Sequence, residues 1–380
     1  MRRIAVVTTS RADFGIYRPI LRALLADEEL EPQVVVSGSH LVEEHGMTVH
    51  EVEQEVPVAA TVPVLDGDEP LDIARAMGRG VSGFAEAFAG LAPDVVLVLG
   101  DRFEMHAAAL AAMPLRLPVA HIHGGELTFG SFDDQLRHSM TKLSHLHFVT
   151  TPRYRERILQ LGEEPWRVVV SGAPALDNLR SAALAADDAL EALGLTPGSM
   201  PVVVAFHPPT LEGGAIEPKI AVLLAALDAV DAPVVLTASN ADPGGSTIRA
   251  AFVAHAEARE HVTFVPNLGT DSFLAVCSAA LAIVGNSSAA LIEAPSLGLP
   301  AVNVGTRQGG RVRGTNVIDV GYDVEEIRAA LRRAADPTFR ATVQAAPNPY
   351  DAGGAATIIL EHLRGVELGM GLLMKRFVDR

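Results

Sequence analysis

Residues 95–126 read VVLVLGDRFEMHAAALAAMPLRLPVAHIHGGE. Five apolar residues, Val95 to Leu99, meet Gly100 and then Asp101, Arg102 and Glu104. An alanine-rich helical pattern follows, and a second short apolar run from Val119 leads into His121, His123, Gly124, Gly125 and Glu126. An apolar run without alternation is what a strand buried on both faces needs, and strand, helix, strand in succession is a βαβ unit. The polar residues therefore fall at the carboxyl ends of two parallel strands, where open α/β sheets bind their ligands.

The same alternation extends in both directions. Strand-like runs are expected at 4–8, 34–37, 95–99, 119–121, 148–150 and 168–171, and a second series at 202–206, 234–237, 262–265, 281–284 and 301–304. Between the series lies RSAALAADDALEALGLTPGSM, a helical stretch that ends in Gly and Pro breakers. The reading is α/β, with two Rossmann-like domains at 1–185 and 186–352 whose parallel sheets face a central cleft. A chain of 380 residues exceeds what a single core usually supports.

Composition narrows the partners. Acidic residues outnumber basic ones by 46 to 30, a formal charge of -16, which repels a nucleic-acid backbone. A small phosphorylated ligand stays open, because local arginines and helix N-termini bind phosphate against the global sign. The single cysteine, Cys277, excludes an internal disulfide and fits a reducing compartment. The opening MRRIAVVTTSRADF is too briefly apolar for a signal segment, and the uncharged stretch 273–292 is cut by Gly285, Asn286, Ser287 and Ser288. A cytoplasmic protein without a membrane span is expected.

Each strand end carries a motif with a plainer alternative. TTSRADFG, 8–15, offers Arg11 to a phosphate or base edge, or else a solvated loop with Asp13 as helix cap, and it lacks GxGxxG. Asp101 beside Arg102 suits an acid/base group next to an anion holder, or a capping pair. His121 and His123, two apart on a strand, would share a face, yet no HExxH or cysteine pair accompanies them, and no metal is expected. FDDQLRHSMTKLSHLHF, 132–148, has Asp133 or Asp134 to cap a helix, with Arg137, His138, Lys142 and His145 recurring along one face. In the second half stand His207 in AFHPPT, Asn240 in SNADPGGS, Ser287, Ser288 and Glu293 in VGNSSAALIE, and Arg307 in NVGTRQGGR. Gly-Asn-Ser-Ser before a helix fits a diphosphate, with Glu293 available to ribose hydroxyls; a serine N-cap is the plain reading.

Together GDRFE, HIHGGE, DDQLRHSMTKLSHLHF, GAPALD, HPPT, NADPGGS, GNSSAALIEAP and GTRQGGR resemble the UDP-N-acetylglucosamine 2-epimerases, particularly the hydrolysing branch. The resemblance implies a glycosyltransferase-B-like fold, with UDP mainly on the second domain and residues 353–380 returning to the first. It implies Asp101 and Asp133 as catalytic carboxylates, Arg102 and His207 near the diphosphate, and Ser287, Ser288, Glu293, Arg307, Arg11 and Asn240 on UDP. Asp177, in GAPALD, resembles a sugar contact. It also implies UDP-N-acetylglucosamine or a related UDP-amino-sugar as substrate, no cofactor, and a homodimer or homotetramer.

The chemistry accounts for such an inventory. C2–H of the sugar becomes removable only as the C1–O bond to UDP breaks and positive charge builds at C1, so a carboxylate base and anion-stabilising groups are both needed. Water addition to the resulting 2-acetamidoglucal releases the C2-inverted sugar; re-addition of UDP gives the non-hydrolysing outcome. A glycosyltransferase or a UDP-sugar binding protein are the readings from other classes. Many relatives carry glutamate where His123 stands, and others have histidine there with TEG in place of Thr128, Phe129 and Gly130. With neither glutamate present, Glu126, His123 and Asp133 are left to share the acid/base work.

Overall fold

A computed structural model describes residues 1–67, 69–129, 132–181, 185–209, 212–239 and 244–379. The first sheet contains β1 (Arg2–Thr8), β2 (Leu30–Ser37), β3 (Val58–Val62), β4 (Val95–Leu99), β5 (Val119–Ile122), β6 (Leu146–Val149) and β7 (Val168–Val170). Their order is β3-β2-β1-β4-β5-β6-β7, and every pairing is parallel. The second sheet contains β8 (Val202–Ala205), β9 (Val234–Thr237), β10 (Val262–Val265), β11 (Ala282–Gly285), β12 (Ala301–Val304) and β13 (Val317–Val320), ordered β10-β9-β8-β11-β12-β13 and again parallel throughout. Both sheets reverse direction of growth beside their first strand, between β1 and β4 and between β8 and β11. These reversals are the switch points at which doubly wound sheets open a crevice.

The chain forms two compact units. One comprises residues 1–126, 133–178 and 350–380, and the other comprises 127–132 and 179–349. In the first unit β4 is fully enclosed, Val95, Val96, Leu97 and Val98 being without exposed surface. Burying each such side chain contributes about 1.5–3 kcal/mol before chain entropy is counted. The second unit has its own core, built on Val202, Val204, Val284 and Val302 with Phe206 and Phe252.

Two strands absent from the sequence reading, β3 and β13, sit at sheet edges. Their residues are mostly half-buried or exposed, VAATV alternating and VIDV carrying Asp319, so neither presents the uninterrupted apolar run of a central strand.

After residue 349 the chain runs in the first unit. The helix Ala355–Gly365 buries Ala356, Ile359, Leu360 and Leu363, an i, i+3, i+4, i+7 stripe, against the helix Arg11–Leu25. Its N-terminus is capped from elsewhere in the chain: Asp177 Oδ2 accepts the N–H of Ala356 at 2.8 Å. Among the described residues no helix is long and apolar enough to cross a membrane.

Candidate active site

In the first unit, the loops after β1, β4 and β5 assemble two side-chain groups. The first is built around Arg137, on the helix Asp133–Leu143 and almost wholly buried. Its Nη2 donates to the carboxylate of Asp101, and its Nη1 donates to the carbonyl of His123 at 2.8 Å while lying 3.6 Å from Glu126 Oε2. His123 Nδ1–H in turn donates to Glu126 Oε1 at 2.8 Å, which also accepts the Thr150 hydroxyl at 3.1 Å. One guanidinium thus ties together Asp101, His123 and Glu126, three residues picked out from the sequence, and Asp133 opens the helix that supplies it.

With Nδ1 carrying the proton, His123 Nε2 is a lone pair on a buried ring, and it has no partner among the described residues. Its backbone has φ +63, so the chain leaves the strand at this residue. The expectation that His121 and His123 share a strand face is therefore corrected: β5 ends at Ile122, and the His121 ring instead meets the carbonyl of Gly100 at 2.7 Å. Among the described residues no three His, Cys, Asp or Glu side chains stand together as metal ligands. Gly125 is required by packing, since a Cβ there would lie 2.6 Å from the Tyr154 carbonyl oxygen.

The second group surrounds Arg102. Its Nε and Nη2 donate to the two oxygens of buried Glu104, both at 3.3 Å. Burial raises the Glu104 carboxyl above the usual range, Arg102 opposing the shift. Burial likewise raises Asp13, again opposed by Arg102 and by the Thr9 hydroxyl, which donates to Asp13 Oδ2 at 2.5 Å. Ser10, not Asp13, caps the helix Arg11–Leu25. Arg11 stands at its first residue, its guanidinium lowered by burial against the pull of Glu51. His40, held between Thr8 and Thr48, is pushed down to about 4 by burial with Arg102 and Arg11 adding to it, so it is neutral at pH 7.

The second unit is organised by Asn286. At the ends of adjacent strands β8 and β11, Asn286 Oδ1 accepts the His207 N–H at 2.7 Å and Asn286 Nδ2 donates to the His207 carbonyl at 2.8 Å. Its own carbonyl accepts Arg307 Nη1 at 3.1 Å and Gln308 Nε2 at 2.7 Å. Burial, with Arg307 second, lowers His207 to about 3 and keeps it neutral. Glu212 steadies the Arg307 loop, accepting the Thr306 N–H at 2.8 Å, the Tyr322 hydroxyl at 2.8 Å and Lys219 at 3.0 Å. The helix after Ser287 and Ser288 is one turn, Ala289–Ile292, so backbone N–H groups, the two hydroxyls and the arginine are what this loop offers an anion. Glu293 follows directly, while Asn240 lies outside the described residues.

Comparison with known proteins identifies the family. Residues 22–364 match the family described as UDP-N-acetylglucosamine 2-epimerase. The chain belongs to this family. A GDP/UDP-N,N'-diacetylbacillosamine 2-epimerase (hydrolyzing) from Campylobacter jejuni is 34% identical over 343 residues, 89% of each chain. A UDP-N,N'-diacetylbacillosamine 2-epimerase (hydrolyzing) from Legionella pneumophila is 35% identical over 337 residues, 88% of this chain and 89% of its own. In three dimensions the crystal structure of UDP-GlcNAc 2-epimerase from Neisseria meningitidis bound to UDP-GlcNAc matches with a TM-score of 0.83 at 20% identity, over 96% of this chain and 99% of that one.

The protein is thus an enzyme of the epimerase family, with relatives in its hydrolysing branch and a two-domain glycosyltransferase-B-like fold. Three side chains central to this epimerase fold's loops escaped the sequence reading as site residues. Arg137 was visible only as one polar position on a helix, and Asn286 only as part of Gly-Asn-Ser-Ser. Glu104 looked like an ordinary acidic residue in a first helical turn. Each acts by holding another group, a role that residue type and spacing do not reveal. Asp177 is engaged by the Ala356 N–H, the capping bond described above.

Proposed function

We propose that the protein is a hydrolysing 2-epimerase of a UDP-2-acetamido sugar. The observation that carries the reading is the Arg137-centred group of Asp101, His123 and Glu126 in a chain matched to the epimerase family over residues 22–364. Asp101, held in place by the Arg137 guanidinium, takes the C2 proton as the C1–O bond breaks. The bonding electrons leave with UDP, and a C1–C2 double bond remains in a 2-acetamidoglucal. Arg102 and Arg307 offset the charge on the departing diphosphate, and neutral His207 donates or accepts a hydrogen bond there. In the second half Asp133 takes a proton from water as its oxygen adds to C1, while His123, with Nδ1–H tied to Glu126, first takes up a proton from solvent at Nε2 and delivers it to the opposite face of C2; Asp101 and Asp133 then return their two protons to solvent. The net change is hydrolysis with inversion at C2, releasing UDP and one proton.

In this reading the first unit works on the sugar, while Ser287, Ser288, Glu293, Arg307, Asn240 and, from the first unit, Arg11 hold UDP. Asp177 is taken as a sugar contact, its Oδ2 also accepting the Ala356 N–H. UDP-N,N'-diacetylbacillosamine is the first substrate to test, because the two relatives at 34% and 35% identity carry that name. UDP-N-acetylglucosamine is the second, because a Neisseria meningitidis protein named for it is 31% identical across the whole chain. The reading also takes the protein as cytoplasmic and a homodimer or homotetramer.

Both sugars incubated with the protein in D2O distinguish the outcomes by NMR. Deuterium at C2 of a released, inverted sugar together with free UDP is expected from one of them. An inverted sugar still attached to UDP would replace hydrolysis by the non-hydrolysing reaction, and absence of C2 exchange with both sugars would reject the assignment.

A further inference from the structure

We propose that His121 is a positioning residue for Asp101, acting through the carbonyl of Gly100; the proposal rests on the reading of Asp101 as the C2 base. Gly100 is the hinge between β4 and Asp101, and its φ of +72 is a left-handed conformation that nothing local enforces, since glycine visits both signs freely. Two bonds from β5 fix it. Its N–H donates to the Ile122 carbonyl at 2.9 Å, and its carbonyl accepts from the His121 ring, one residue earlier on the same strand, at 2.7 Å. Asp101 therefore follows a residue held by the neighbouring strand through both its N–H and its carbonyl, and Arg137 then orients the Asp101 carboxylate.

The ring can make this bond in one form only. A carbonyl accepts, so His121 Nε2 must carry the proton. Burial lowers the ring to about 3, with the Gly100 bond opposing, so at neutral pH there is a single N–H and it is committed. Nδ1 is then a buried acceptor without a partner among the described residues, and a Cβ on Gly124 would stand 3.1 Å from it. The arrangement makes sense when the opposite nitrogen is the one that matters. Arg137 ties the carboxylate of Asp101 to the carbonyl of His123, two residues beyond His121, so the base and its support hang from the end of one strand.

The test uses the full chain and the variants His121→Leu and His121→Gln. Nitrogen-15 NMR of the wild type, with the His121 signal identified by its loss in His121→Gln, should show the Nε2–H tautomer at pH 7.5. In His121→Leu, amide exchange in residues 99–102 should quicken about tenfold or more. With a sugar that the wild type turns over, kcat should fall about 100-fold, the scale set by an ångström of misplacement, while UDP affinity by calorimetry is unchanged. The glutamine amide, which can still donate, should recover part of both losses. An Nδ1–H tautomer overturns the proposal, as does unchanged amide exchange or wild-type kcat in His121→Leu. Should the wild type turn over neither sugar, the assignment of function fails by itself, and the tautomer and exchange data still decide whether His121 fixes Gly100. If His121→Leu does not fold, the wild-type tautomer and the exchange rates of His121→Gln decide.

Discussion

A guanidinium has five N–H donors in one plane, and Arg137 directs them at the Asp101 carboxylate, the His123 carbonyl and the Glu126 carboxylate from a site with almost no solvent. Removing that charge leaves Glu126 buried beside His123 without its main counter-ion. Breaking a buried pair from one side costs about 3–5 kcal/mol. Arg137→Met should therefore destabilise the first unit by that order, read from urea unfolding, and abolish turnover. Arg137→Lys keeps the charge but cannot serve three acceptors in a plane, so it should retain most of the stability and lose most of the activity. Equal stability in the methionine variant would remove the network from its assigned role. Asp101 and Glu126 were legible in the sequence because each stands just past an apolar strand. Arg137 was not, because a polar residue at helical spacing looks the same whether it faces water or a buried carboxylate.

Among elements, the end of β11 is tightly constrained. Gly285 has φ +132, and a Cβ there would approach the Ala205 carbonyl oxygen to 2.2 Å, which is the peptide that β8 presents just before Phe206 and His207. Backbone cannot move aside as a flexible side chain can, so Gly285→Ala must part the ends of β8 and β11 and with them the Asn286 bridge to His207. A forced fit of this kind costs about 1–3 kcal/mol. The expected result is a lower melting temperature of the second unit and weaker UDP binding, read by calorimetry; unchanged values of both would show that the close approach is not binding on the site. The parallel strands that run through the cores were legible from uninterrupted Val, Ile and Leu. β3 and β13 were not, since an edge strand with half its residues in solvent needs no such run. That a helix follows Gly-Asn-Ser-Ser was legible, but its single turn, Ala289–Ile292, was not, because Ala and Leu continue beyond it and only Pro295 marks the break.

On the scale of the molecule, the end of the chain is fastened to the first unit by charge as well as by apolar packing. Buried Glu163 accepts Lys142 at 2.6 Å, Lys375 at 2.8 Å and His147 at 3.3 Å, while Arg167 donates to the carbonyls of Leu372 at 2.8 Å and Gly371 at 3.3 Å. Burial alone would raise the Glu163 carboxyl, but the hydrogen bonds from His147, Lys142 and Lys375 outweigh it and hold it at about 2, against an ordinary 4.5. A carboxyl lowered on folding contributes stability that is present above pH 4.5 and is lost as pH falls toward 2. A second acid effect has a different window. His121 and His207 are lowered to about 3, His40 and His145 to about 4, and His147 is lowered too, each mainly by burial, against an ordinary 6.5. The unfolded chain binds those protons first, so stability declines as pH drops below 6.5. Glu163→Gln separates the two. It leaves His40, His121 and His207 as they are, so both proteins share the loss those three cause below pH 6.5, whereas below 4.5 only the wild type has a Glu163 contribution left to lose. At pH 7 the variant should be about 3–5 kcal/mol less stable in the first unit, with faster amide exchange over 371–378. That gap should hold down to pH 4.5 and close between 4.5 and 2, followed by urea unfolding at stepped pH. A gap that stayed constant to pH 2 would mean that the carboxylate charge does not hold the tail, and that packing of the helix Ala355–Gly365 suffices.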